Sequence, residues 1–159
     1  MKSDDERWMR RALELAHKAA ECGEVPVGAV VVSPNGEELA TAANAVETLK
    51  DATAHAEILA LREAARRLGD WRLEDCTLYV TKEPCAMCAG ACVNCRVGTL
   101  VFGTADPRMG AAGSALSITD FSGMLHRVSV RQGICKEECL AVLQDFFRSR
   151  RAARQDTVS

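Results

Sequence analysis

The sequence predicts one α/β domain in which helices cover a sheet, and three observations lead there. Strand-like apolar runs alternate with segments of helical period along the chain. The 159 residues, 48% apolar and 26% charged, suit a soluble domain large enough to bury a core without disulfide staples, and exclude wholesale disorder. No repeat, low-complexity segment or Pro/Gly/Ser linker divides the chain, so residues 1–159 are expected to form a single domain.

The elements follow in order. Ser3 and Glu6 make a possible capping box, Trp8, Ala12, Leu15, Ala16 and Ala19 recur at helical spacing, and Gly23 is a plausible stop. Val27–Val32 reads as a buried strand. Pro34-Asn35-Gly36 is a hairpin turn signal, and Leu39–Ala43 returns as the second strand. A second helix is expected over Ala54–Leu68, with Ile58, Leu61, Ala65 and Leu68 as its apolar stripe, Arg62, Arg66 and Arg67 facing water, and Gly69 at its end. Thr77–Thr81 is a strand, and Pro84 opens a third helix. Thr99–Phe102 is another strand, residues 104–126 are too rich in Gly, Ala and Ser to assign, and Arg127–Val130 makes a short last strand. Lys136–Arg150 is a terminal helix with Leu140, Leu143 and Phe147 on one face.

Charge and cysteine content narrow the function. The net charge is only −2, so no global field advertises a polyanionic partner. Its distribution is uneven: residues 1–57 carry 6 basic and 11 acidic side chains, and residues 58–159 carry 14 basic and 11 acidic. The basic helix end and tail from about residue 148, with Arg148, Arg150, Arg151 and Arg154, serves either dipole compensation and solubility or phosphate contact. No secretory h-region follows Met1, and no apolar run is long enough to span a membrane, so a cytoplasmic location with reduced thiols is expected. Four of the eight cysteines fall within Cys85–Cys95, which points to metal binding or redox chemistry.

Two fragments carry the chemistry, His55-Ala56-Glu57 and Pro84-Cys85-Ala86-Met87-Cys88. Together they supply one imidazole and two thiolates for a metal and a carboxylate beside it, the open tetrahedral pattern of catalytic zinc. Cys85 and Cys88, at i and i+3, share one side of a helix start, where thiolates are favoured. Zinc lowers the pKa of bound water toward neutrality, and Glu57 is placed to move its proton. Residues i and i+2 diverge on a regular helix, so His55 and Glu57 converge only if the first turn is irregular or they flank the metal from two sides. A rival site would use Cys85, Cys88, Cys92 and Cys95. On a continuous helix Cys85 and Cys92 lie roughly 10 Å apart along the axis, too far for one zinc with bonds of about 2.3 Å, although Gly90 permits a break. Cys92 and Cys95 otherwise read as buried packing residues, as do Cys22, Cys76, Cys135 and Cys139. His17 reads as structural or surface, and His126 as a partner for backbone groups.

The H-x-E…P-C-x-x-C arrangement resembles that of the zinc-dependent deaminases of the cytidine deaminase superfamily, and within it the bacterial tRNA adenosine deaminases. Matching blocks are Glu24-Val25-Pro26-Val27-Gly28-Ala29-Val30, Thr53-Ala54-His55-Ala56-Glu57-Ile58, Thr77-Leu78-Tyr79-Val80-Thr81, Glu83-Pro84-Cys85, Met87-Cys88-Ala89-Gly90, Val101-Phe102-Gly103, Gly110-Ala111-Ala112-Gly113-Ser114 and Asp145-Phe146-Phe147-Arg148, in the family's order. The resemblance implies a three-layer α/β/α, cytidine deaminase-like fold with a five-stranded mixed sheet, a homodimer, and one Zn²⁺ per subunit on His55, Cys85 and Cys88. It further implies that Glu57 is the catalytic proton shuttle and that the substrate is the wobble adenosine of a tRNA anticodon stem-loop, converted to inosine. Asn44, Glu24, Asp106, Phe147 and Arg151 match its substrate-contacting positions. Ala52 stands where Pro is common in the family, Asn94-Cys95-Arg96 where Ser-Arg is usual, and Leu125 where Asn is frequent. Lys82 stands where Leu is common, which puts a cation able to contact phosphate close to the metal loop. Deamination of a free base or nucleoside of the guanine or cytosine type would use the same four residues, but has no need of a basic terminal helix. A zinc-stabilised binding module has no need of Glu57.

Overall fold

The computed structural model describes residues 2–158. Helix α1 runs over Lys2–Glu21. Strands β1 (Gly28–Val32) and β2 (Glu38–Ala43) form a hairpin, followed by a one-turn helix α2 (Val46–Leu49) and α3 (Ala56–Leu68). Strand β3 (Thr77–Lys82), helix α4 (Ala86–Asn94), strands β4 (Thr99–Thr104) and β5 (Ser129–Gln132), and helix α5 (Lys136–Val158) complete the described chain.

The strands form one mixed sheet in the order β2-β1-β3-β4-β5. β1 is antiparallel to both β2 and β3, while β4 runs parallel to β3 and β5. Alternate residues of each strand feed opposite faces, as the two-residue period of a strand requires. Ala29, Val31, Leu78, Val80, Leu100 and Phe102 pack against α3 and α4. Val30, Val32, Tyr79 and Val101 pack against α1 and α5. Strands buried on both faces therefore lie between two helical layers, the α/β/α architecture expected. Gly28 admits α1: a Cβ there would lie 2.0 Å from the Ala12 carbonyl oxygen.

Several local expectations need correction. α1 already includes Ser3, so Ser3 does not cap it, and the Ser3 side chain lies outside the described residues. The buried face of α3 is Glu57, Ala60, Leu61 and Ala64, while Leu68 is exposed; the true stripe runs one residue off the one the larger side chains suggest. Pro84 precedes the N-cap Cys85 instead of occupying the first turn. α5 continues past Arg150 and buries Cys139, Val142, Leu143 and Phe146, leaving Leu140 and Phe147 exposed. Cys22 is exposed, and Cys95 and Cys135 are only half-buried, whereas Cys76, Cys92 and Cys139 are buried as expected. His126 Nε2 lies 2.7 Å from the Val97 carbonyl, the backbone partnership anticipated for it.

Candidate active site

Two helix starts meet at the C-terminal end of β3. His55 is the N-cap of α3 with extended backbone, φ −71° and ψ 149°. Cys85 is the N-cap of α4, also extended, with φ −72° and ψ 178°. The N-cap conformation resolves the divergence of His55 and Glu57: His55 lies outside the helical spiral, so its ring and the Glu57 carboxylate need not obey helical spacing. His55 Nδ1 lies 3.7 Å from Cys85 Sγ and 3.4 Å from Cys88 Sγ. Among the described residues these three form the one group of His, Cys and acidic side chains whose ligand atoms all lie within 4.8 Å of each other. Cys92 and Cys95 stand outside it, further along an unbroken α4.

The donors fit a soft divalent cation. A tetrahedral centre with Zn–S near 2.3 Å and Zn–N near 2.0 Å has an N–S edge of roughly 3.5 Å, close to the 3.7 and 3.4 Å between the imidazole and the two thiols. Hydrogen bonds from Cys88 and His55 lower the Cys85 thiol pKa to about 3. The neighbouring Cys85 sulfur and burial push Cys88 up, and its bond to Cys85 raises His55.

Glu57 is buried beside them, and loss of water raises its carboxyl pKa. It opens onto a cavity of about 310 Å³ that His55, Cys85, Asn44, Glu24, Lys82 and Asp106 also line. Cys88 lies fully buried beneath it. Asn44 donates from Nδ2 to the Val25 carbonyl at 3.2 Å, while its buried Oδ1 has no partner. That orphaned acceptor suits a ligand N–H or O–H.

The remaining sequence candidates divide. Glu24 is in the wall, but its carboxylate is committed: it accepts from the Glu47 N–H at 3.0 Å and from both the N–H and hydroxyl of Thr48 at 2.6 Å. Burial raises its pKa, but those donors and Arg150 outweigh it and hold Glu24 below the usual carboxylate range. It caps α2, the short helix that sequence reading missed because four residues show no period. Asp106 accepts from the Arg108 and Met109 N–H groups and pairs with Lys82 Nζ at 3.2 Å. Phe147 and Arg151 lie apart from the Glu57 cavity, in a second cleft of about 420 Å³ with Leu140 and Arg148.

Sequence reading also missed Glu83. Buried beside the metal loop, it accepts from the N–H groups of Asp106 (3.0 Å), Ala112 (3.0 Å) and Ser114 (3.1 Å), and from the Ser114 hydroxyl. Gly110 makes room for it; a Cβ there would come within 2.4 Å of Glu83 Cδ. One carboxylate therefore organises the Gly-rich segment that sequence could not assign. Glu83-Pro84-Cys85 matched the family as a block, but no sequence signal assigned the carboxylate a role.

Residues 3–151 match the family model of the MafB19-like deaminases. The chain is 46% identical over 153 residues to a tRNA-specific adenosine deaminase of Bacillus subtilis, covering 96% of this chain and 94% of that one. A solved structure from a study of A-to-I editing by tRNA:A34 deaminases at the wobble position superposes with a TM-score of 0.83 at 39% identity, covering 86% of this chain and 99% of that one. A guanine deaminase from Nitrosomonas europaea gives a TM-score of 0.77 at 25% identity, covering 89% and 83%.

Proposed function

The chain belongs to the MafB19-like deaminase family, grouping there with the tRNA-specific adenosine deaminases, and from that premise we propose that it hydrolyses the wobble adenosine of a tRNA anticodon to inosine and ammonia. The observation that carries the reading is the meeting of His55, Cys85 and Cys88 with a buried carboxyl, Glu57, at one cavity. His55 Nδ1 and the two sulfurs would hold one Zn²⁺, which their donor type and spacing fit. When bound, zinc supplies a Lewis acid that makes water a competent nucleophile near neutral pH.

The chain's own residues do the rest. Glu57, its proton affinity raised by burial, takes one proton from the attacking water and delivers it to N1 as the C6–O bond forms, then takes the proton of the new C6 hydroxyl and delivers it to the exocyclic amine, so that the C6–N bond breaks, ammonia leaves and C6 becomes a carbonyl. The unpartnered Oδ1 of Asn44 orients the nucleoside by accepting a hydrogen bond. Asp106 contacts the RNA from the loop held by Glu83, and Glu24 supports the wall indirectly by fixing α2. Phe147 offers an exposed ring for a neighbouring base and Arg151 a cation for its phosphate. A looped anticodon base is already unpaired, so splaying it into the cavity costs little.

A cytoplasmic location accords with a tRNA substrate, and among the described residues no helix is long and apolar enough to cross a membrane. Exposed Leu116, Phe121 and Leu125 supply apolar surface for a homodimer, testable by sedimentation. The function is tested by offering an anticodon stem-loop with wobble adenosine alongside free guanine and cytidine and measuring ammonia. Inosine in the stem-loop is the expected product; turnover of a free base alone overturns the tRNA reading in favour of a small-molecule deaminase.

A further inference from the structure

Lys82 has no part in holding metal or moving protons, yet it stands at the junction of the two concavities. The Glu57 cavity and the cleft of Phe147 and Arg151 have just two lining residues in common, Lys82 and Asp106. These two form a ridge between adjacent compartments. A strand with its reacting base in one compartment and the next base in the other must carry the linking phosphodiester over that ridge.

The ridge offers a cation there. Lys82 Nζ lies 3.2 Å from Asp106 Oδ2, and its side chain is 32% exposed. An ammonium has three donors, and the ion pair occupies one. Asp106 does not depend on Lys82 for its place: its Oδ1 accepts two backbone N–H groups, and its own N–H is held by Glu83. Lys82 is thus free to turn a donor toward a phosphate while Asp106 stays fixed. Arg148 and Arg151 also line the second cleft, so a phosphate entering it from the ridge meets further positive charge.

Resting on the deaminase reading above, we propose that Lys82 is a substrate-positioning residue that binds the phosphodiester joining the reacting adenosine to the nucleotide seated against Phe147. A leucine at this position would leave the linkage without that contact, so Lys82 makes this chain more dependent on an intact flanking phosphate.

The test compares wild type, Lys82→Met and Lys82→Arg on an anticodon stem-loop and on two versions carrying a neutral methylphosphonate 5′ or 3′ of the wobble adenosine. Lys82→Met should raise KM about fivefold to tenfold at low salt with kcat within about twofold of wild type, and should make the salt dependence of binding shallower by about 0.7 in slope. Lys82→Arg should retain most of the affinity. One methylphosphonate should raise the wild-type KM by a similar factor and cause no further loss in Lys82→Met, the non-additivity of a direct contact. A lowered melting temperature alone would not produce that coupling. Additive effects at both phosphates, or an unchanged KM in Lys82→Met, overturn the proposal. Failure of the wild type to deaminate the unmodified stem-loop overturns the function reading instead.

Discussion

Replacing Glu83 by glutamine tests whether one carboxylate holds the segment that walls both concavities. Oε1 accepts from the Asp106 N–H and the Ser114 hydroxyl, and Oε2 from the Ala112 and Ser114 N–H groups. An amide must turn its NH₂ toward one of these sets. Facing Oε2's donors it leaves two backbone N–H groups opposed; facing Oε1's donors it leaves one, because the hydroxyl can rotate to accept. The better orientation forfeits one hydrogen bond to a charged acceptor and weakens two others, a loss of about 2–3 kcal/mol. For a chain of this length that is a fall in melting temperature of roughly 6–9 °C. Displacement of Asp106 should raise KM for the stem-loop about tenfold with metal content intact. Gly110→Ala, which drives a Cβ into the same carboxylate, should act in the same direction. Thermal denaturation, stem-loop kinetics and metal analysis provide the readouts. A fall below about 1 °C with unchanged KM would show that the segment does not depend on Glu83.

Three further outcomes are expected. Glu57→Gln should keep its metal by elemental analysis and lose roughly 10²–10⁴ in kcat, whereas Cys88→Ala should lose the metal; normal turnover by Glu57→Gln would refute the proton-shuttle role. Asp5 is buried, which raises its pKa, but hydrogen bonds from Arg131 and Tyr79 outweigh that and hold it below its ordinary value of 3.8. Its contribution is therefore complete above about pH 4 and lost as pH falls through the lower folded pKa, so acid unfolding of Asp5→Asn should be less steep below pH 4 than that of wild type. Arg148→Ala combined with Arg151→Ala should lower the salt dependence of RNA binding by about 1.4 in slope if both contact phosphate, and a binding isotherm across salt concentrations will show whether it does.

Much of this architecture was legible because it is periodic. β1, β3 and β4 announced themselves as short apolar runs, and α1 by apolar residues recurring at helical spacing. The group of His55, Cys85 and Cys88 beside Glu57 was legible because its donors are local in sequence, with two thiols three residues apart and a His two residues from a Glu. What failed did so for identifiable reasons. The stripe of α3 was misplaced because, apart from Leu61, its core face consists of alanines and a buried carboxyl, Ala60, Ala64 and Glu57, which hydropathy undervalues. Helical spacing grouped Phe147 with Leu140 and Leu143 on one face, yet it is 41% exposed, because α5 meets the sheet through Cys139 and Val142 instead, and its exposure suits the substrate-contacting position that the family resemblance implied. The Gly-rich segment after β4 has no period at all: it is shaped by hydrogen bonds to Glu83 from residues 23 to 31 positions away.

The end of β3 explains how substrate preference and metal chemistry can vary separately. Lys82 closes the strand, Glu83 follows it, and Cys85 caps the next helix. Alternation along extended backbone sends the side chains of Lys82 and Glu83 to different sides. Lys82 is half-exposed on the ridge, and Glu83 is buried against the loop backbone. A substitution at Lys82 therefore changes charge where the substrate's linkage passes, while Glu83 keeps Asp106 in place and Cys85 keeps its position at the start of α4. The near-neutral net charge of the chain conceals this arrangement. Lys82, Arg148 and Arg151 line one cleft, whereas the acidic excess lies in residues 1–57, and in salt of physiological strength charges beyond a Debye length of about 8 Å count for little against those nearby.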